Sequence, residues 1–139
     1  MTELVQIIYV SQPFGYDIPT LNGILLESRR NNSRDGISGA LICRHDIYFQ
    51  LIEGPETKVQ VAFERIKRDD RHLDMKTLVS AKVKNRIFAD WAMLHDPATS
   101  LIWTEKEISD GILDNTTEVD IRHMFETLAE NVEKNGPPV

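Results

Sequence analysis

Two apolar segments separated by a short polar one constrain the fold of this chain more than any other feature. They cover residues 37–43 and 47–53, and both are rich in β-branched and aromatic residues, which favour strands. His45 and Asp46 between them are typical of a hairpin turn. Gln50 interrupts the second segment, and a buried amide without a partner costs about 1 to 3 kcal/mol. We therefore expect another group to form a hydrogen bond with Gln50.

The segments on either side of this hairpin follow a regular order of strands and helices. Residues 4–11 predict a first strand, and residues 75–84 and 88–95 predict two later ones. Apolar residues recur at helical spacing over residues 20–31 and after Pro55. This order predicts an α+β fold of the ferredoxin-like split βαβ type, β1α1β2β3α2β4β5, whose five-stranded sheet carries two helices on one face.

Asn31 and Asn32 are predicted to end the first helix, because Asn tolerates the left-handed conformation found there. After Pro97, the spacing of Thr104 and Glu107 matches a capping box, and a longer amphipathic pattern begins at Thr117. We therefore predict two C-terminal helices, and we divide the chain into a domain at 1–97 and an extension at 98–139.

Charge and composition exclude several functional classes. The net charge of −6 arises in the extension: residues 1–99 hold 13 basic and 13 acidic residues, whereas residues 100–139 hold 3 and 9. A neutral domain with an acidic tail argues against nucleic-acid binding. No apolar run approaches the roughly 18 residues of a membrane span, and the first residues lack the basic start of a signal peptide, so we expect a cytoplasmic protein without membrane contact.

The sequence also lacks the common catalytic and metal-binding motifs. It has no Walker loop, GxGxxG or HExxH pattern and no recognisable nucleophile context, which predicts a protein that is not an enzyme. The one Cys, Cys43, excludes an internal disulfide, and the four His are scattered, so we predict no metal site. Tyr9 and Gln50 remain, on strands that are central neighbours in a split βαβ sheet and can therefore touch.

Taken together, several segments resemble the BLUF family of blue-light sensors that use a flavin. They are IIYVS with Tyr9, ESRRNNSRDGISGALI with Asn31 and Asn32, YFQLIEGP with Gln50, FERIKRDDRH, and FADWAM with Trp91 and Met93. The resemblance extends over residues 2–96. The tail is similar to that of short, stand-alone members, which carry C-terminal helices for output or oligomerisation instead of an enzyme domain.

The resemblance implies a flavin site, with FAD as the expected cofactor and FMN or riboflavin as open alternatives. It implies that Asn31, Asn32 and Gln50 hold the edge of the ring, and that Ile24 and Ile66 lie on its two sides. Amide side chains suit that edge, because each carries both a donor and an acceptor. Further cofactor-binding residues implied by the resemblance, most of them near the ribityl and phosphate end, are Ser28, Arg65, Asp69, Arg71 and His72.

The resemblance also implies a photochemical mechanism. Light would drive proton-coupled electron transfer from Tyr9 through Gln50 to the flavin, leaving the Gln50 amide rotated or tautomerised. Trp91 or Met93 would relay this change to a tail that packs on the sheet face opposite the flavin. Tyr48 and Trp91 are possible competing electron donors. The expected partners are a second copy of the chain and a response-regulator-like protein or cyclic-dinucleotide phosphodiesterase.

Two other functions remain open at this stage. A hydrolase resembling acylphosphatases needs a glycine-rich, Arg-bearing loop after the first strand, and this chain has SQPFGYD there. A flavin-free interaction module on the same ferredoxin-like scaffold would be favoured by a purified protein that is colourless and that added flavin does not change. A thermal flavin oxidoreductase is disfavoured because no nicotinamide-binding motif is present.

Overall fold

A computed structural model describes residues 3–13, 18–44, 47–69, 72–89, 91–96 and 117–135 of the chain. The described residues form five strands and three helices. In chain order they are β1 (Leu4–Pro13), α1 (Ile18–Asp35), β2 (Ser38–Arg44), β3 (Ile47–Pro55), α2 (Glu56–Lys67), β4 (His72–Val83), β5 (Leu94–Asp96) and α3 (Glu118–Asn135).

The strands form one sheet in the order β4-β1-β3-β2-β5. β1 pairs antiparallel with both β4 and β3, β2 pairs antiparallel with β3, and β5 is parallel to β2. The predicted α+β class is confirmed, and β1 and β3 are central neighbours. In this register Tyr9 lies directly opposite Gln50, so their side chains share one face of the sheet.

Alternation along the strands gives the sheet two buried faces. One face carries Val5, Ile7 and Tyr9 from β1 and packs against apolar residues of α1 and α2. The opposite face packs against α3, whose buried residues are Ile121, Met124, Phe125, Leu128 and Val132. The two faces are therefore covered by different helices, and the cleft described below belongs to the first face.

The predicted end of α1 is wrong by about one turn. α1 continues through Asn31 and Asn32 to Asp35, and Gly36 takes the left-handed conformation with φ of 69°. Glycine occupies this position more readily than asparagine, because it has no Cβ to clash with the backbone. Asn32 accepts a hydrogen bond from the Ile37 N–H at its carbonyl (2.9 Å), and its side chain is free to point inward.

The predicted strand over residues 88–95 is also wrong in extent, since β5 begins only at Leu94. The backbone N–H groups of Ile87 and Phe88 donate to the carboxylate of Glu53 (2.9 and 2.7 Å), and Trp91 N–H donates to the Phe88 carbonyl (3.0 Å). A side-chain acceptor and a turn satisfy these groups in place of a strand partner. We call residues 86–93 the 86–93 segment.

The C-terminal extension is described only from residue 117 onward. α3 begins after Thr117, whose hydroxyl accepts a hydrogen bond from the Asp120 N–H (3.2 Å), as expected for an N-cap. The helical pattern at Thr104 and the predicted boundary after residue 97 lie at or within the part that is not described. Among the helices of the described residues, none has the length and hydrophobicity needed to cross a bilayer.

Candidate functional site

A cleft opens between α1 and α2 above the central strands, with about 460 Å³ of empty space including its mouth. Eight residues predicted to bind a cofactor line it together: Ile24, Ser28, Asn31, Asn32, Gln50, Arg65, Ile66 and Asp69. Glu27 and Ile52 also line the cleft and were not predicted. The sequence carried a signal for both, because Glu27 shares a helix face with Asn31 and Ile52 follows Gln50 by two residues in β3.

Tyr9 and Gln50 form a hydrogen bond at the base of this cleft. The Tyr9 hydroxyl donates to Gln50 Oε1, and both side chains are buried, with exposed fractions of 0% and 1%. The Tyr9 ring also packs against Phe63, with ring centroids 5.3 Å apart. Burial raises the pKa of Tyr9 well above its usual value, and the negative charge of Asp69 raises it further. Tyr9 is therefore a neutral phenol at physiological pH.

The other end of the Gln50 amide contacts the 86–93 segment. Gln50 Nε2 donates to the sulfur of Met93 at 3.7 Å, and Met93 is buried on the same sheet face as Tyr9. Trp91 is only partly buried and packs with the cluster on the α3 side. Of the two predicted relay residues, the structure therefore places Met93 beside Gln50 and Trp91 on the opposite face. An amide has further donor and acceptor capacity, so Gln50 can still bind a ligand in the cleft.

α1 holds the end of the 86–93 segment with two side chains. Asn32 Nδ2 donates to the carbonyl of Ala92 (2.8 Å), and Arg29 Nε donates to the carbonyl of Met93 (3.1 Å). Asn32 is 4% exposed and also lines the cleft, so it connects the cleft directly to this segment. These contacts join residues 60 or more positions apart, and no pattern in the sequence predicts them.

Charged side chains gather at the α2 end of the cleft. Arg65 is exposed near the end of α2, and Asp69 follows the helix, its N–H donating to the Ile66 carbonyl (3.0 Å). Arg71 lies outside the described residues, and His72 is the first residue of β4, with a side chain that is not described. No group of metal-binding side chains occurs among the described residues.

The lining of this cleft fits a flavin. Ile24 and Ile66 provide apolar surface from two different helices, and Asn31, Asn32 and Gln50 place three amide groups in the same space. A flat ring with an apolar face and a polar edge of mixed donors and acceptors matches that arrangement.

Comparison with known proteins agrees with this chemistry. The model of the BLUF family, described as sensors of blue-light using FAD, matches residues 4–94. Photoactivated adenylate cyclase subunit beta of Euglena gracilis is 29% identical over 94 residues, which are 66% of this chain and 11% of that protein. The chain therefore spans about a tenth of the length of this relative.

Solved structures give the same result over nearly the whole chain. BlrB, a BLUF protein in its dark state, is 28% identical with a TM-score of 0.82, over 94% of this chain and 98% of that one. BlrP1 of Klebsiella pneumoniae, in a complex with manganese and cyclic diGMP, is 27% identical with a TM-score of 0.67, over 96% and 33%. Since the matched residues include Tyr9, Gln50 and the cleft, this chain belongs to the BLUF family of blue-light sensors that use FAD.

Proposed function

We propose that this chain is a blue-light photoreceptor that binds a flavin non-covalently in the cleft and acts as a switch instead of an enzyme. The observation that carries the proposal is the buried hydrogen bond from Tyr9 to Gln50, since Gln50 also lines the cleft. The oxidisable phenol of Tyr9 is thus connected through the Gln50 amide to the cleft that fits the flavin ring.

The cleft residues have separate roles in holding the flavin. Asn31, Asn32 and Gln50 would bind the polar edge of the ring, and Ile24 and Ile66 would lie against its faces, since all five residues line the cleft. Ser28, Arg65 and Asp69 lie along the remaining lining and would serve the ribityl and phosphate end. Arg71 and His72, whose side chains the structure does not describe, are further candidates from the family resemblance alone. We propose FAD, the form named for the family, while FMN and riboflavin carry the same ring.

The light response begins at Tyr9. The bound flavin supplies absorption of blue light and, once excited, a strong oxidant. Tyr9 would give up an electron to that oxidant, and because an oxidised phenol is far more acidic than a neutral one, its proton would pass to its acceptor, Gln50 Oε1. Both the electron and the proton would then return to Tyr9, which leaves the Gln50 amide rotated or tautomerised and no group oxidised or reduced. Rotation exchanges its oxygen and nitrogen and removes the N–H that Gln50 donates to Met93.

The output leaves through the 86–93 segment toward α3. Phe88 in this segment packs edge-on against Phe125 of α3, with ring centroids 6.2 Å apart and an interplanar angle of 89°. A shift at Met93 therefore has a short path along the backbone to Phe88, whose ring contacts a helix on the other sheet face. Relatives named as adenylate cyclases and the cyclic diGMP complex of BlrP1 support a partner in cyclic-nucleotide signalling. We propose that the chain forms a homo-oligomer in the cytoplasm. Its partner would be a cyclic-dinucleotide phosphodiesterase or a response-regulator-like protein.

The test is the visible spectrum of the purified protein in the dark, under blue light and during recovery in darkness. We expect flavin bands that shift slightly to the red without bleaching and return in the dark. Gln50→Leu should bind flavin but lose this shift, because Leu removes the amide at similar volume. Gln6→Leu is the matched control, since Gln6 is an equally buried amide in β1 on the opposite face.

Two outcomes contradict the proposal. Bleaching of the flavin bands would indicate stable reduction or adduct formation in place of a hydrogen-bond rearrangement. A colourless protein that takes up no added FAD, FMN or riboflavin would instead support an interaction module without a cofactor.

A further inference from the structure

Glu53 is a buried carboxylate that the light response described above does not use. It lies near the end of β3 and has an exposed fraction of 0%. Because it follows Gln50 by three residues, its side chain points to the sheet face opposite the cleft. Burial of a carboxylate is unfavourable unless its oxygens accept hydrogen bonds, so the groups that bind it indicate its role.

The partners of Glu53 belong to the start of the 86–93 segment and to β2. Its Oε1 accepts from the Ile87 N–H (2.9 Å), and its Oε2 accepts from the Phe88 N–H (2.7 Å) and the Ser38 hydroxyl (3.2 Å). Arg86 strengthens this attachment, because its guanidinium donates to Ser38 Oγ (3.0 Å) and to the Gly36 carbonyl (2.7 Å). Side-chain acceptors thus hold the start of the segment.

The end of the same segment is held separately. The Trp91 carbonyl accepts from the Gly39 N–H (3.0 Å), and the next two carbonyls accept from Asn32 and Arg29 of α1. Met93 follows Phe88 by only five positions in a segment that is attached at both ends, so a change in the position of Phe88 has a short path to Met93. The sulfur of Met93 contacts Gln50 at the end of that segment.

We propose that Glu53 is a positioning residue for the light response. Its carboxylate fixes the start of the 86–93 segment, so that the sulfur of Met93 lies where Gln50 Nε2 donates to it. This inference rests on the proposed function, because it assigns Glu53 an effect on the Gln50 amide across the sheet. If Glu53 had only a structural role, its replacement would lower the stability of the fold without changing the environment of Met93.

The first test is the dark-state position of Met93, measured by NMR of methionine methyl groups labelled with carbon-13. The chain has four Met, and Met93→Leu identifies the Met93 resonance. Glu53→Gln keeps the size of the side chain but replaces one acceptor oxygen by a donor group. We expect this variant to shift the Met93 resonance and to leave that of Met75, which packs on the same sheet face, unchanged. An unmoved Met93 resonance overturns the proposal.

The second test is a double-mutant cycle on the dark-recovery half-life of the flavin-loaded protein. We expect Glu53→Gln to change the half-life by about threefold alone, and by less than about 1.5-fold in a Met93→Leu background, because coupled residues are not additive. If the two substitutions change the half-life by factors that simply multiply, the proposal is wrong. Val79→Ala is the control, since Val79 is buried on the same face as Glu53 and its side chain forms no hydrogen bonds.

A third variant covers the case in which Glu53→Gln fails to fold. Ser38→Ala removes one hydrogen bond from the Glu53 carboxylate and leaves both backbone bonds, so it should give a smaller shift of the Met93 resonance and a smaller change in recovery. No effect in this variant would then overturn the proposal. Failure of the proposed function looks different, since the wild-type protein would show no reversible red shift at all.

Discussion

At the scale of single residues, the proposed light response depends on which tyrosine gives up the electron. Tyr9 and Tyr48 are both buried in the cluster on the cleft side, but only the Tyr9 hydroxyl donates to Gln50 Oε1 among the hydrogen bonds described for Gln50. We predict that Tyr9→Phe binds flavin, because the ring packing is retained, but forms at least about tenfold less red-shifted product. The loss of one buried hydrogen-bond partner should also lower the free energy of unfolding by about 1 to 3 kcal/mol.

Tyr48→Phe is the matched control, since it removes a phenol hydroxyl from the same cluster. Illumination at a fixed photon dose, followed by absorbance of the shifted form, compares the three proteins. Photoconversion that survives Tyr9→Phe and disappears in Tyr48→Phe would assign the donor to Tyr48.

The same residue makes stability depend on pH. Burial and Asp69 raise the pKa of Tyr9 in the folded protein, so the folded state keeps the proton that the unfolded state loses above pH of about 10. The stabilisation is therefore complete below pH 10 and decreases at higher pH by up to about 1.4 kcal/mol per pH unit. We predict that Tyr9→Phe lacks this component. Urea unfolding at pH 8 and pH 11 measures it: the stability advantage of wild type over Tyr9→Phe should shrink at pH 11, and an unchanged difference would contradict the assignment.

At the scale of elements, the end of α1 depends on one glycine. Gly36 has φ of 69°, and a Cβ built there would have no heavy atom within 4 Å, so only backbone conformation opposes a side chain. We predict that Gly36→Ala lowers the free energy of unfolding by about 1 to 2 kcal/mol, and that Gly36→Asn lowers it less, because Asn tolerates the left-handed region. Denaturant unfolding of the three proteins tests the order. Equal losses for Ala and Asn would point to a steric cause instead.

The sequence predicts these elements well where a periodic pattern determines them. The hairpin, the two helices beside it and the apolar stripe of α3 follow from alternation and helical spacing, and the pairing of Tyr9 with Gln50 follows from the order of strands. The pattern fails where a distant side chain replaces a local partner. Glu53 satisfies the backbone of Ile87 and Phe88, so apolar residues that favour a strand form an irregular segment.

The candidate site likewise has residues that the sequence predicts and contacts that it does not. Amide residues in α1 and β3 are predicted to line one cleft because their elements are neighbours, and they do so. The second contact of Asn32, to Ala92, depends on the path of an irregular segment, which no local propensity specifies. For the same reason, the sequence does not predict whether Trp91 or Met93 lies beside Gln50.

At the scale of the whole molecule, one sheet separates the cleft from α3, the helix proposed to carry the output. α3 packs on the far face through its apolar stripe, and Arg122 Nε donates to the buried Gln6 amide oxygen (3.0 Å). The 86–93 segment contacts both faces, with Met93 on the cleft side and Phe88 on the α3 side. Contact alone does not establish coupling, which requires that light and the helix bias the same equilibrium.

That requirement leads to a prediction for Phe125. Blue light should raise amide hydrogen exchange in α3. Phe125→Leu should reduce this light-induced increase by at least about threefold, because Leu loses the edge-on ring contact with Phe88 but keeps an apolar side chain. The red shift of the flavin bands should persist in this variant. Leu128→Val is the control, a buried change of similar kind on the same helix, and it should retain the light effect. Exchange measured by mass spectrometry in light and dark decides between two routes. An unaltered light effect in Phe125→Leu would mean that the signal reaches α3 through the sheet or through residues 97–116, and would remove Phe88 from the path.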